Sequence, residues 1–198
     1  MRLASGERRN SRQSVLPRVA LVTCSELPQL DEDTRRLIAP LAARGVSSTP
    51  AVWDDPHVDW ALFDLVVVRS CWDYVPRRAE FLDWAAHVPH LTNPAPVLAW
   101  NTHKRYLRDL AARGVAIVPT TWLEPTDEWP TPESGDWVIK PAVSMASLDA
   151  GRYGMDDRDQ RRLAVEHVHR LQAGARAVMV QPYIEGRSRE NSNWPASR

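Results

Sequence analysis

This sequence has no net charge to speak of: 25 basic and 25 acidic residues cancel over 198 positions. A chain without a basic excess lacks the electrostatic footprint of a nucleic-acid or anionic-membrane binder. A small metabolite is the partner class that remains. Cysteine is scarce as well, with only Cys24 and Cys71. Each follows a strand-like run, and neither has the spacing of a metal ligand or of a secreted disulfide scaffold. Both are read as reduced and structural. No apolar run reaches the roughly 18 residues that span a bilayer, and the N-terminal stretch has no apolar core of a signal peptide. The expected location is therefore cytoplasmic. There is no internal repeat, and the length suits one sizeable domain, or one small domain plus part of another.

What is present divides into four stretches. Residues 1–17 scatter arginines among Ser, Asn and Gln, with too few apolar groups to repay ordering, and are predicted to be a disordered arm. Residues 18–94 alternate strand and helix patterns. "RVALVTC" reads as a strand, and "DEDTRRLIAPLAARG" as a helix that Pro40 kinks or whose first turn it shifts. "SSTPAVW" and "LFDLVVVRS" read as two more strands, followed by the amphipathic "RRAEFLDWAAHV". That order implies an α/β fold with a parallel sheet and right-handed crossovers.

Residues 95–186 read differently. "NPAPVLAW" is expected to be a connector, and "NTHKRYLRDLAARG" a helix capped by Asn101 and stopped at Gly114, with Lys104 in its first turn against the helix dipole. "VAIVPT" reads as a strand, then "DWVIKPA" as another with Lys140 and Val138 on one face and Trp137 and Ile139 on the other. A small-residue loop "VSMASLDAGRYG", a helix within "DDRDQRRLAVEHVHRLQAG" and a strand "RAVMVQPYI" complete it. Residues 187–198 are polar, patternless and expected to be disordered.

Two clusters carry candidate chemistry. The third strand ends on Arg69, Ser70, Trp72, Asp73 and Tyr74, polar and aromatic groups at the carboxyl end of a parallel strand, where such sheets gather ligands. A structural use is equally open: Trp72 and Tyr74 capping the core while Arg69 pairs with Asp73. In the second half, Lys104, Lys140, the small-residue loop and a strand ending "QPYIEG" are suited to a nucleotide triphosphate. They offer ammonium charges for phosphates, backbone N–H groups from a loop, and a strand end for a flat base. Singly, Lys104 reads as a solvated helix lysine and Lys140 as a strand-edge residue.

The motifs "RVALVTC", "VVVRSCWDY", "NPAPVLAWNTHKRYLRDLAARGVAIVPT", "WVIKPAVS" and "MVQPYI", in this order, resemble the ATP-grasp superfamily. Within it the sequence is similar to a glutathione-synthetase-like branch related to the ligase that closes O-ureidoserine to cycloserine. The resemblance implies a parallel-sheet pre-ATP-grasp domain followed by an incomplete ATP-grasp domain of α+β type. It also implies ATP as cofactor, with magnesium expected for the family, and a small carboxylate or amine as substrate. Lys104 and Lys140 would face phosphates, and Ser144 and Ser147 would lie in a phosphate-covering loop running from Ser144 to Tyr153. Gln181, Tyr183 and Ile184 would form the adenine hinge, and Glu185 a ribose-binding acid. Arg69, Ser70, Trp72, Asp73 and Tyr74 would serve the acceptor substrate.

Two departures from the family pattern bear on function. Met145 and Ala146 stand where closer backbone approach favours glycine. The family's magnesium ligands and catalytic arginine belong to a later subdomain, so no metal ligand is assigned, and Glu190 and Asn191 lack the strand context to replace them. The expectation is an ATP-binding, ligase-derived chain that is catalytically incomplete as it stands. The alternative is a non-catalytic metabolite- or partner-binding module.

Overall fold

The structure is a computed structural model that describes residues 16–185. Of the disordered arm expected over residues 1–17, residues 1–15 lie outside the described residues, as does all of the tail expected over residues 187–198. Two compact units divide between Leu98 and Ala99.

The first unit contains β1 (Arg18–Thr23), α1 (Glu32–Arg35), α2 (Ile38–Ala42), β2 (Ser47–Val52), β3 (Leu65–Ser70), α3 (Arg78–His87) and β4 (Leu91–Thr92). The four strands form a wholly parallel sheet in the order β2-β1-β3-β4. Its central strand, β1, is buried from Val19 onward, which explains the near-continuous apolar run "VALV". Alternation sorts that run onto two faces. Ala20 and Val22 join Ala51, Trp53, Val66, Phe81, Ala85 and Leu98 in one core, while Val19 and Leu21 pack with Leu30 in another.

The expected helix after β1 is split into α1 and α2. Pro40 sits in the first turn of α2, where the missing N–H costs least. Asp31 caps α1, accepting from Thr34 N at 2.9 Å and Thr34 Oγ1 at 2.7 Å, and it also accepts from the hydroxyl of Ser70 at the end of β3. These bonds, led by the one from Ser70, hold the Asp31 carboxyl well below its ordinary range. Removing the cap with Asp31→Ala should cost about 1–2 kcal/mol of stability. The advantage of wild type over Asp31→Asn should be full above the ordinary carboxyl pKa of 3.8 and shrink as pH falls below it, because the unfolded chain's carboxyl then takes up a proton that the folded one still refuses. Urea unfolding of both proteins across that window measures it.

The second unit follows from α4 (Ala95–Asn101), which crosses the division between units, and holds α5 (Tyr106–Ala112), β5 (Thr121–Leu123), β6 (Asp136–Pro141), β7 (Gly151–Gly154), α6 (Arg158–Ala173) and β8 (Val178–Pro182). Its sheet is antiparallel, in the order β5-β8-β6-β7. Leu123, Ile139, Val178 and Val180 pack with Ala164, Val168 and Leu171 of α6. Asp157 caps α6 through the N–H groups of Asp159 and Gln160, both at 2.8 Å.

Four expectations are corrected in this region. "NPAPVLAW" is mostly helix α4, with Pro96 near its start, where proline is tolerated. Asn101 ends α4 instead of capping the next helix, and Lys104 lies in the connection before α5 rather than in a helix's first turn. "VAIVPT" is irregular, and the strand begins only at Thr121. Gly151–Gly154, assigned to a loop, is edge strand β7.

Candidate functional site

On β6, Ile139 is buried beneath α6, so the strand's period of two sends Lys140 and Val138 to the opposite face. The register pairs Lys140 with Met179 and Val138 with Gln181, placing these four on one face of the sheet. Lys104 reaches the same strand end from the α4–α5 connection: its backbone N–H donates to Ala142 O at 2.8 Å. Its ammonium donates to Ser144 O and Ser144 Oγ, both at 2.7 Å.

The two ammonium groups share one electrostatic environment. Burial, and then the charge of Lys140, lower the Lys104 pKa from 10.5 to about 8; burial also lowers that of Lys140. Neither lysine has a carboxylate partner among the described residues. Two desolvated cations that repel each other, without a counter-ion among the described residues, leave uncompensated positive charge at this end of β6.

The segment after β6 is tightly folded. Leu148 N–H donates to Met145 O at 2.8 Å and Ala150 N–H to Ser147 O at 3.0 Å. Ala146, Ser147 and Asp149 hold φ of 47°, 60° and 54°, the left-handed region that favours glycine. Of the two positions where this loop departs in composition, Ala146 is also one where its backbone carries strain. Asp149 ties the segment to Arg170 and Arg176 through its carboxylate, and those bonds lower its pKa.

At the other end of β6, Gln181 is buried and donates from Nε2 to Thr120 Oγ1 at 2.7 Å. Tyr183 N–H donates to Asp136 O at 2.7 Å, and the Arg152 guanidinium lies over the Tyr183 ring, 3.5 Å from its centroid. Ile184 and Glu185 are exposed.

In the first unit, Arg69 to Tyr74 do sit at the carboxyl end of β3, with Trp72–Tyr74 forming a 3-10 turn. Several are occupied by the fold. Ser70 is fully buried with its hydroxyl on Asp31. Asp73 accepts from Trp53 Nε1 at 2.9 Å and pairs with Arg77 rather than Arg69. Tyr74 packs on Phe81 at 5.4 Å between centroids, and burial raises its hydroxyl pKa. Arg69 and Trp72 are the exposed members. The partners Asp31, Asp149, Arg170 and Arg176 were missed from sequence. Only Asp31 carried a local signal, the Asp-x-x-Thr spacing of a helix cap.

Comparison with known proteins matches this architecture. Residues 19–95 fit the family described as D-cycloserine synthetase DcsG, N-terminal domain. The cycloserine biosynthesis protein DcsG of Streptomyces lavendulae is 36% identical over 179 residues, covering 84% of this chain and 59% of the relative. The crystal structure of D-cycloserine synthetase DcsG superposes with a TM-score of 0.75 over the same shares of the two chains. Over most of its length the chain is similar to part of an ATP-grasp ligase. The ATP-grasp fold is shared more distantly by the D-alanine–D-alanine ligase of Bacillus anthracis, at 13% identity and a TM-score of 0.58, covering 86% of this chain and 58% of that one. The same ligase complexed with ATP gives 0.54 at 12% identity, over 86% of this chain and 60% of that one. Similarity at that level concerns the fold alone. The chain spans 59% of the curated relative it matches, so it corresponds to part of an ATP-grasp ligase: a parallel-sheet unit followed by an antiparallel α+β unit. No helix among the described residues is long and apolar enough to cross a membrane.

Magnesium is typical of ATP-grasp ligases. Among the described residues, no group of three or more His, Cys, Asp or Glu is placed to hold a metal ion. These residues do not fit a magnesium site, and no step is assigned to one.

Proposed function

We propose that the second unit binds ATP, with Lys104 and Lys140 facing its phosphates, as the nucleotide-binding part of an ATP-dependent carboxylate–amine ligase. The observation that carries this is the lysine pair: two neighbouring, half-buried ammonium groups with no carboxylate partner among the described residues. Phosphate oxygens would restore the lost solvation of both cations and offset charge on the polyphosphate, a service that phosphoryl-transfer sites draw from lysine. Ser144 already accepts from Lys104 through two oxygens. It would yield that ammonium to a phosphate while it and Ser147 cover the nucleotide.

The remaining roles follow the family pattern. Gln181, Tyr183, Ile184 and Glu185 would border the base and ribose. Arg69 and Trp72, with Ser70, Asp73 and Tyr74 fixing their turn, would meet a small carboxylate or amine. Cytoplasmic location accords with ATP chemistry on small molecules. Incidental lysines, the alternative, are disfavoured because isolated surface lysines stay solvated and keep their ordinary pKa.

The pH dependence tests this reading. Phosphate binding needs the Lys104 ammonium, so ATP affinity should fall as pH rises above about 8, and binding there should take up a proton. Stability of the free protein should move the other way. Since the folded pKa lies below the unfolded 10.5, the unfolded chain binds more protons above about 8, and stability rises with pH until Tyr74 and Tyr153, raised from 10.0 by burial, oppose it. Calorimetry in buffers of different ionisation enthalpy reads both. An ATP affinity that is flat across the window contradicts the assignment.

A further inference from the structure

Behind the lysine pair, where β6 ends and β8 begins, the second unit encloses a pocket of about 350 Å³. Neither Lys104 nor Lys140 lines it. Its walls include the backbone neighbours Ala142 and Ala177, joined by an N–H···O bond of 2.8 Å, and the side chains of His103, Arg105, Glu124 and Arg176. Volume on this scale suits a small organic ligand.

The polar groups of the walls point to its chemistry. Arg105 pairs with Glu124 through Nη2, and that carboxylate is partly exposed. The Nε–H of Arg105 is buried and has no hydrogen-bond acceptor. A guanidinium offers Nε–H and an Nη–H side by side, in the fork that a planar carboxylate fills with two parallel bonds. Glu124 engages Nη2 and leaves Nε without an acceptor. Arg176, across the pocket, is held by another carboxylate, Asp149, through Nη1. Both arginines are therefore already set by carboxylates, one of which lies at the surface where it can be displaced. The remaining wall, with Pro125, Ala142, Val143 and Ala177, is apolar and fits a short carbon chain.

We infer that this pocket is a binding site for a small organic carboxylate, recognised by Arg105 through the Nε–Nη edge and by Arg176 at the second end of a dicarboxylate. Inorganic phosphate is a poorer match, since its charge is concentrated on one compact tetrahedron instead of being divided between two planar carboxylates that each fit a guanidinium fork. Because Arg176 also anchors Asp149, a ligand that draws on Arg176 removes one of the two arginines that hold residues 144–150, the segment that Lys104 grips at Ser144. Occupancy of the pocket and of the lysine site are thereby coupled, and the coupling is reciprocal.

The test is calorimetric titration of the full chain with succinate, and separately with inorganic phosphate. Wild type should bind succinate saturably and in preference to phosphate. Arg105→Lys keeps the charge but loses the paired donors, and should weaken succinate about tenfold, the loss of one charge-assisted bond. Circular dichroism checks that this variant is folded. Titrating succinate without nucleotide, and ATP without succinate, keeps failure of the ATP reading and failure of this one distinguishable. No saturable heat with succinate, an unchanged affinity in folded Arg105→Lys, or a preference for phosphate would overturn the assignment.

Discussion

Lys140→Glu should abolish measurable ATP binding, lowering affinity by about a hundredfold or more. The substitution removes a phosphate-facing cation and adds a charge that repels phosphate, a change on the order of 3 kcal/mol. The effect is large because Lys140 is half-buried on β6 and its burial already penalises the charged form. A low local dielectric strengthens whatever charge stands there. Lys140→Met separates the two contributions. It should weaken ATP by about tenfold, the loss of a single charged contact. It should not lower the stability of the free protein, since the desolvated cation is gone and Lys104 loses the neighbour that helps depress its pKa. Thermal denaturation with and without ATP reads both effects: the ligand-induced rise in Tm seen in wild type should be missing in Lys140→Glu and small in Lys140→Met. A variant whose Tm rises with ATP as much as wild type would remove Lys140 from the phosphate site.

The largest stability effect is expected in the first unit, at Phe81→Ala. Phe81 is 1% exposed and is ringed by aromatics: Trp53 meets it edge-on at 5.5 Å, Trp84 stacks at 5.4 Å, and Tyr74 lies at 5.4 Å. Truncating such a residue forfeits its transfer free energy and leaves a cavity that rigid neighbours cannot fill, about 3–5 kcal/mol. That is a large share of a typical domain's stability. The consequence extends to the turn after β3. Trp53 donates its indole N–H to Asp73, and Tyr74 loses its ring partner, so the exposed Trp72 between them should lose its fixed position. Urea unfolding followed by tryptophan fluorescence gives the stability change, and acrylamide quenching reports the loosened turn. A loss below about 1 kcal/mol, the scale of a surface change, would show that Phe81 is not central to the core.

Much of the fold could be read from residues because it rests on periodicity. The apolar runs of β1 and β3 signal a parallel sheet, and the 3.6-residue pattern of α6 marks its inner side. Short elements escaped. β4 has two residues and β5 three, too few to show alternation. The boundary at Asn101 was misjudged because Asn-Thr before a helical pattern has the composition of an N-cap, yet α4 already occupies it and the chain needs Thr102–Arg105 to turn.

That Lys104 and Lys140 come together was legible through their order within the family's motifs, since the 35 residues between them give no geometric clue by themselves. What could not be read were the long-range polar bonds. Ser70 looks like a ligand contact until Asp31, 39 residues earlier, takes its hydroxyl. Asp73 looks free until Trp53 finds it. Arg170 and Arg176 look like solvated helix-end charges until Asp149 is brought to them by a loop in left-handed conformation.

The central claim, that a nucleotide's phosphates lie against Lys104 and Lys140, is most directly tested by titrating isotopically labelled full-length protein with a non-hydrolysable ATP analogue and following backbone amide resonances. The account predicts saturable shifts at Lys104, at Lys140 and through residues 142–150, extending to residues 181–185, and their loss in Lys140→Glu. Shifts that do not saturate, or that leave Lys104, Lys140 and residues 142–150 unmoved, would contradict it.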